Sequence, residues 1–137
     1  MTLREIWSRP ESWRRWYLRA LPAYWVFLFL CTHFPQLRIP GAIPESDKLA
    51  HFIAYALLTF LFWRFCEALR RPLPHWFSLV ALGVLLAYAA VDESTQLLVG
   101  RSASVFDFLA DACGVLAALG LLEWRRTVVE SRAAPAT

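Results

Sequence analysis

Four apolar segments, bounded by charged residues or by proline and glycine, constrain this chain more than any other feature of its sequence. The segments run over about residues 21–34, 49–65, 76–91 and 105–122. Because a helix needs roughly 20 residues to cross the core of a bilayer, each helix should extend beyond its apolar run into polar ends. A helix also satisfies its own backbone hydrogen bonds in lipid. The sequence therefore predicts an all-α, polytopic membrane protein, a bundle of four transmembrane helices.

The composition supports this class and excludes several others. Of the 137 residues, 58% are hydrophobic and 18% are charged, whereas soluble domains are about half apolar and a quarter charged. Seven Trp and ten Phe exclude a disordered chain, and three cysteines, an odd number, exclude a disulfide scaffold. The net charge of +3 is small, and its placement indicates topology. We expect the lipid bilayer as a partner and no nucleic acid.

The chain is expected to form one unit with three parts. These are a cytoplasmic interfacial segment at residues 1–19, a four-helix membrane domain at residues 20–124 and a short polar cytoplasmic tail at residues 125–137. The N-terminal part mixes aromatic residues with five arginines, which is typical of a helix lying at a membrane interface. No small-residue cleavage site follows the first apolar segment, so we expect it to be retained and not removed as a signal peptide.

The basic residues divide unequally between the two sides of the predicted bundle. With four spans, both termini and the link at residues 66–75 share one side, which carries 11 of the 14 Lys and Arg residues. They are Arg4, Arg9, Arg14, Arg15, Arg19, Arg64, Arg70, Arg71, Arg125, Arg126 and Arg132. The opposite side carries Arg38, Lys48 and Arg101. The positive-inside rule therefore predicts cytoplasmic termini and an outward loop at residues 35–48.

The outward ends of the segments carry polar residues where apolar ones are expected. In chain order they are Asp47, Lys48, His51, Tyr55, Asp92, Glu93, Gln96, Arg101, Asp107 and Asp111. Several are four positions apart, so they stack on one face of their helix. Ionisable groups that face lipid cost several kcal/mol, so these side chains should face one another inside the bundle. The sequence predicts that they form one polar, ligand-binding pocket that opens outward.

The fourth segment supports this prediction with small residues on the polar face. Asp111, Gly114 and Ala118 share that face, and the last two should form a small-xxx-small packing contact between helices. Simpler roles are open for part of the set. Asp47 could cap the second helix, and Asp107 ends an S-x-x-D capping pattern. The whole set could also be an inert polar clasp.

Three short motifs follow one another along these segments. D-K-x-x-H-x-x-x-Y covers residues 47–55, D-E-x-x-Q covers residues 92–96 and R-S-A-S-x-x-D covers residues 101–107. In this order they resemble the VanZ-like family of small membrane proteins, named for a protein that accompanies glycopeptide-resistance operons and gives low-level teicoplanin resistance. The resemblance covers about residues 20–122. This chain differs at Asp111, where the family usually has Asn.

The resemblance implies a protein of the cell envelope but no mechanism, so several functions are open. In the first, the pocket binds an envelope lipid, a peptidoglycan intermediate or a glycopeptide-related ligand, and alters glycopeptide susceptibility. In the second, the protein is a membrane-embedded enzyme acting on a lipid-linked or phosphorylated envelope precursor. Intramembrane acids also occur in proton-coupled transporters, although these acids cluster on one side.

The residue types assign candidate roles for the enzymatic and metal-binding alternatives. His51 would serve as a base, oriented by Asp92 or Asp107, and Arg101 would hold a phosphate or carboxylate. The candidate catalytic residues are His51, Asp92, Glu93 and Asp107. A divalent cation is the one cofactor considered, because histidine and carboxylates suit Zn²⁺ or Mn²⁺. Its candidate ligands are His51, Asp92, Glu93, Asp107 and Asp111.

Overall fold

The protein is all-helical over the residues that its computed structural model describes, which are 11–34, 44–69, 72–100 and 104–133. Four helices follow one another, and a short 3₁₀ turn, Leu97–Val99, extends the third of them. The helices are α1 (Glu11–His33), α2 (Pro44–Leu69), α3 (Phe77–Gln96) and α4 (Val105–Ala133). These residues contain no strand, and the predicted all-α class is confirmed.

The helices are longer than the apolar runs that predict them, as the thickness of a bilayer requires. α2 has 26 residues and α4 has 29, and both pass well beyond their apolar stretches. α4 continues through residues 123–133 because this stretch holds neither glycine nor proline. Arg126 also pairs along the helix with Glu123 and with Glu130, the i,i+3 and i,i+4 pairs that support helical structure.

Three of the four helices are long and apolar enough to cross a membrane. The spans are 47–69, 77–99 and 105–132, and only 28–33% of their most apolar stretches is buried inside the bundle. Most of each surface therefore faces outward with apolar side chains, as contact with lipid requires. α1 is not among these spans, and its first turns carry Arg14, Arg15 and Arg19. That α1 also crosses the membrane stays a prediction.

Successive helices run in opposite directions, so α2 and α4 lie parallel. These two helices share the most extensive contact of the bundle. The start of α1 meets the end of α2, where the Arg14 Nε donates to the Ala68 carbonyl at 2.9 Å. Midway along, the Tyr24 hydroxyl donates to the Ala54 carbonyl at 3.0 Å. The interior between the helices is apolar and includes Leu58, Leu85 and Val115, all with no exposed surface.

Basic side chains gather at the end of the bundle where α2 and α4 finish. The Arg64 guanidinium, largely buried, pairs with Glu67 and lies 5.0 Å above the centre of the Tyr17 ring. The Arg126 guanidinium lies 5.8 Å above the Trp63 ring. Stacking of arginine on aromatic rings lets the charge stay in partly buried surroundings. We call this end of the bundle the basic end, and the opposite end, where α1 and α3 finish, the acidic end.

Candidate functional site

Five buried polar side chains meet at the acidic end, and the three helices that carry them are those singled out by the sequence motifs. We call them the polar cluster: His51, Asp92, Glu93, Gln96 and Asp111. Their exposed fractions run from 0% for Asp111 to 9% for His51, so the described residues shield these five side chains almost completely. That the cluster opens outward as a ligand-binding pocket stays a prediction.

His51 and Asp111 form the contact between α2 and α4 within the polar cluster. The Nδ1 of His51 lies 2.9 Å from one carboxylate oxygen, Oδ1, of Asp111, and both side chains are buried. The other carboxylate oxygen, Oδ2, is also buried and has no hydrogen-bond partner among the described residues. Such an unpaired buried acceptor costs about 1–3 kcal/mol, and more when it is charged. Asp111 is therefore only half satisfied.

Asp92 is tied mainly to α1, through two residues that the sequence did not single out. The Thr32 hydroxyl donates to the Asp92 Oδ1 at 3.0 Å, and the His33 Nδ1 lies 3.7 Å from the same oxygen. On its other side, the His33 Nε2 lies 2.8 Å from the Thr95 hydroxyl oxygen. Gln96 donates to the Asp92 Oδ2 at 3.4 Å. The end of α1 is thus fixed to the end of α3 by polar contacts.

The one sequence signal for Thr32 and His33 is their position. They are two polar residues that close an apolar run at the same end of the bundle as the acidic motifs. Neither has a polar residue four positions earlier in its own helix, so no polar stripe marks them.

Glu93 connects α3 to the first turn of α4. Its Oε2 accepts the backbone N–H of Ser104 at 2.9 Å, and its Oε1 accepts the Gln96 amide at 3.4 Å. The Ser104 hydroxyl accepts the backbone N–H of Asp107 at 3.3 Å, which is the first half of the predicted capping pattern. In a complete capping box, the acidic side chain three positions after the cap residue accepts the backbone N–H of the cap residue. Here the side chain that accepts the Ser104 N–H is Glu93, which belongs to α3.

Gly100 ends the 3₁₀ turn that follows α3. Its φ of +74° is in the left-handed region that favours glycine, and its N–H donates to the Leu97 carbonyl at 3.3 Å. A side chain at this position would strain the backbone.

Tyr55 lies one turn below His51 and is fully buried. Its ring stacks on Tyr88 with centroids 6.0 Å apart, and its hydroxyl has no hydrogen-bond partner among the described residues. The hydroxyl is close enough to Asp92, Glu93 and Asp111 to interact electrostatically with their carboxylates. Tyr55 therefore places a second buried polar atom without a partner beside the polar cluster.

The remaining predicted site residues lie around the polar cluster. Asp47 and Lys48 are exposed, and Asp107 is half-buried. Asp47 and Asp107 each offer a carboxylate oxygen within 4.8 Å of a His51 ring nitrogen. These side chains form the accessible rim of the cluster. Arg101 lies outside the described residues.

The predicted packing residues lie on the face of α4 that contacts α2. A Cβ added to Gly114 would overlap the carbonyl oxygen of Phe52 and would lie 3.1 Å from the backbone nitrogen of Ala56. The two backbones are therefore in direct contact at this point. Ala118, one turn further along, is half-buried.

Comparison with known proteins agrees with the motifs. A family model described as VanZ/LLP1 matches residues 2–126, which is most of the chain. The chain belongs to the VanZ/LLP1 family. The resemblance stated from three motifs is confirmed, and all five residues of the polar cluster lie inside the matched region. For this VanZ/LLP1 protein, no match was found among the curated proteins or the solved structures.

Proposed function

We propose that this VanZ/LLP1 membrane protein binds part of an envelope lipid, a peptidoglycan intermediate or a glycopeptide-related ligand at the polar cluster. Through this binding it would alter susceptibility to glycopeptides such as teicoplanin. The observation that carries the proposal is that buried polar atoms without a hydrogen-bond partner lie in and beside the cluster, among them the Tyr55 hydroxyl and the Asp111 Oδ2. A bound ligand with hydrogen-bonding groups would offset the free energy that these atoms lose by leaving water.

The chemistry of the cluster narrows the part of the ligand that would bind. Three buried carboxylates, those of Asp92, Glu93 and Asp111, repel a phosphate or a carboxylate group. They favour a group that donates hydrogen bonds, such as a sugar hydroxyl or an ammonium. The donor-rich portion of an envelope precursor fits better than its phosphate. The exposed Asp47 and the half-buried Asp107 mark the approach.

The proposal requires the acidic end to face away from the cytoplasm. We propose this orientation because Arg14, Arg64 and Arg126 gather at the opposite end. With the native cysteines replaced, Phe34→Cys, which follows α1 at the acidic end, should react with a membrane-impermeant thiol reagent in intact cells. His75→Cys, in the link between α2 and α3 at the basic end, should react only after permeabilisation. Both side chains are exposed and lie outside the three spans. The reverse labelling pattern would reject this topology.

Removing one oxygen atom tests the ligand proposal directly. Tyr55→Phe should keep or raise the unfolding temperature, because it removes a buried hydroxyl without a partner. The same variant should shift teicoplanin susceptibility toward that of cells lacking the protein, because the ligand loses a contact. Tyr17→Phe is the matched control, since Tyr17 is buried at the basic end. Wild-type susceptibility of the Tyr55→Phe cells at equal expression would contradict the proposal.

The enzymatic alternative is separated by a turnover assay. His51, beside Asp111 and within reach of Asp107, has the surroundings of a general base. Purified protein incubated with a lipid-linked peptidoglycan precursor should return it unchanged if the protein only binds. If the wild type converts the precursor and His51→Ala does not, the protein is an enzyme, and the proposal that it only binds is wrong.

A further inference from the structure

Two groups of three side chains at the acidic end have metal-ligand spacing. The inner group is His51, Glu93 and Asp111. The second, which we call the rim group, is Asp47, His51 and Asp107. In each group one ligand atom per residue lies within 4.8 Å of the others. We infer that the inner group is a binding site for a divalent cation, with Zn²⁺ and Mn²⁺ the best match. The ion would occupy the Asp111 Oδ2 that is also assigned to the envelope ligand proposed above, but the test of the ion uses no envelope ligand, so its outcome is separate from that of the proposed function.

Burial favours the inner group over the rim. Glu93 and Asp111 are 6% and 0% exposed, so water cannot fully solvate their charges. Asp47 of the rim group is exposed, and exposed acidic groups are stable without an ion. The unpartnered Asp111 Oδ2 adds an independent observation, because it is a fully buried acceptor that nothing in the described chain satisfies. A cation beside it would supply the missing partner.

The charges at the acidic end indicate a cation. Three buried carboxylates meet there, and the structure pairs Asp92 with His33 and Asp111 with His51. Among the described residues, these two histidines contribute at most two positive charges against three negative ones. An uncompensated buried charge is strongly destabilising, and a divalent ion would remove the excess. Asp92 belongs to neither of the two groups with metal-ligand spacing.

The distances are compatible with coordination. A tetrahedral ion with ligand distances of about 2.1 Å holds its ligand atoms about 3.4 Å apart. The His51 Nδ1 and Asp111 Oδ1 are 2.9 Å apart, and the inner group spans at most 4.8 Å, so side-chain shifts of about 1 Å would close it. One imidazole and two carboxylates are ligands that zinc and manganese accept. A water molecule would occupy the fourth position of a tetrahedral ion.

The test measures binding of Zn²⁺ and of Mn²⁺ alone to the full chain in detergent after treatment with a chelator. We expect one ion per chain. Glu93→Gln and Asp111→Asn should each weaken binding at least about tenfold, because loss of a direct ligand exceeds the cost of losing an outer one. Asp107→Asn is the matched comparison, since it makes the same change one turn away on α4 and belongs to the rim group only.

A second measurement keeps the result interpretable if a variant folds poorly. The bound ion should raise the unfolding temperature of the wild type and of Asp107→Asn, and should leave that of Asp111→Asn unchanged. Absence of saturable binding by the wild type would overturn the inference. So would equal binding by the wild type, Glu93→Gln and Asp111→Asn. Loss of binding in Asp107→Asn with retention in Asp111→Asn would assign the ion to the rim group instead.

Discussion

Gly114→Ala should lower the unfolding temperature of the protein in detergent by several degrees, although it adds a single methyl group. The added Cβ would overlap the Phe52 carbonyl oxygen, which belongs to the backbone of α2 and cannot rotate away. α2 and α4 must then separate, and overpacking of this kind costs about 1–3 kcal/mol. The small residue is what permits the close approach of these two helices.

Gly120→Ala is the matched control on the same helix. A Cβ at Gly120 meets nothing within 4 Å, so no contact is disturbed. Alanine also favours a helix over glycine by about 1 kcal/mol, so the unfolding temperature should stay the same or rise. Thermal unfolding followed by circular dichroism compares the two variants. Equal changes in both would show that helix propensity, and not the contact with α2, determines the outcome.

Breaking the pair between His51 and Asp111 should destabilise the protein strongly and non-additively. His51→Ala leaves the buried Asp111 carboxylate without its partner, and removing one member of a buried pair costs about 3–5 kcal/mol. Asp111→Ala removes the carboxylate itself. In the double variant no stranded charge is left, so it should lose much less stability than the sum of the single changes.

The double-mutant cycle is measured as free energies of unfolding in chelator-treated samples. The pair of Arg126 with Glu130 is a suitable control, because its atoms are 3.9 Å apart and Glu130 is 55% exposed. The cycle isolates this pair from other contacts of Arg126, such as those with Glu123 and Trp63. Such a pair contributes about 0–1 kcal/mol. Strict additivity at His51 and Asp111 would mean that the two side chains do not act as a unit.

The helices of this protein were predictable because each apolar segment has its own boundary signals. Pro44 opens α2, and Gly100 closes the turn after α3. Stripes with a period of four also placed His51 and Asp111 on the polar faces of their helices, although Asp92 or Asp107 was the expected partner of His51 and the structure pairs it with Asp111. These predictions depend only on residues that are near one another in the chain.

Contacts set by the rotation of a helix or by a link could not be predicted. Thr32 meets Asp92 only because α1 presents that side of its last turn to α3, which no stripe in α1 indicates. The backbone N–H of Ser104 donates to Glu93 across 11 positions of the chain, and no pattern in the sequence indicates that contact.

Asp92 and Asp111, the two acids that pair with histidines, are both synthesised after those histidines. Thr32, which stands next to His33, precedes its partner Asp92 by 60 positions, and His51 precedes Asp111 by 60 positions. At about 5–20 residues per second, the ribosome completes each acid roughly 3–12 s after its partner. The hydrogen-bonding partners Thr32 and His51 have therefore already been synthesised when Asp92 and Asp111 leave the ribosome. Glu93 is the exception, since its partner Ser104 follows it by 11 positions and arrives about a second later.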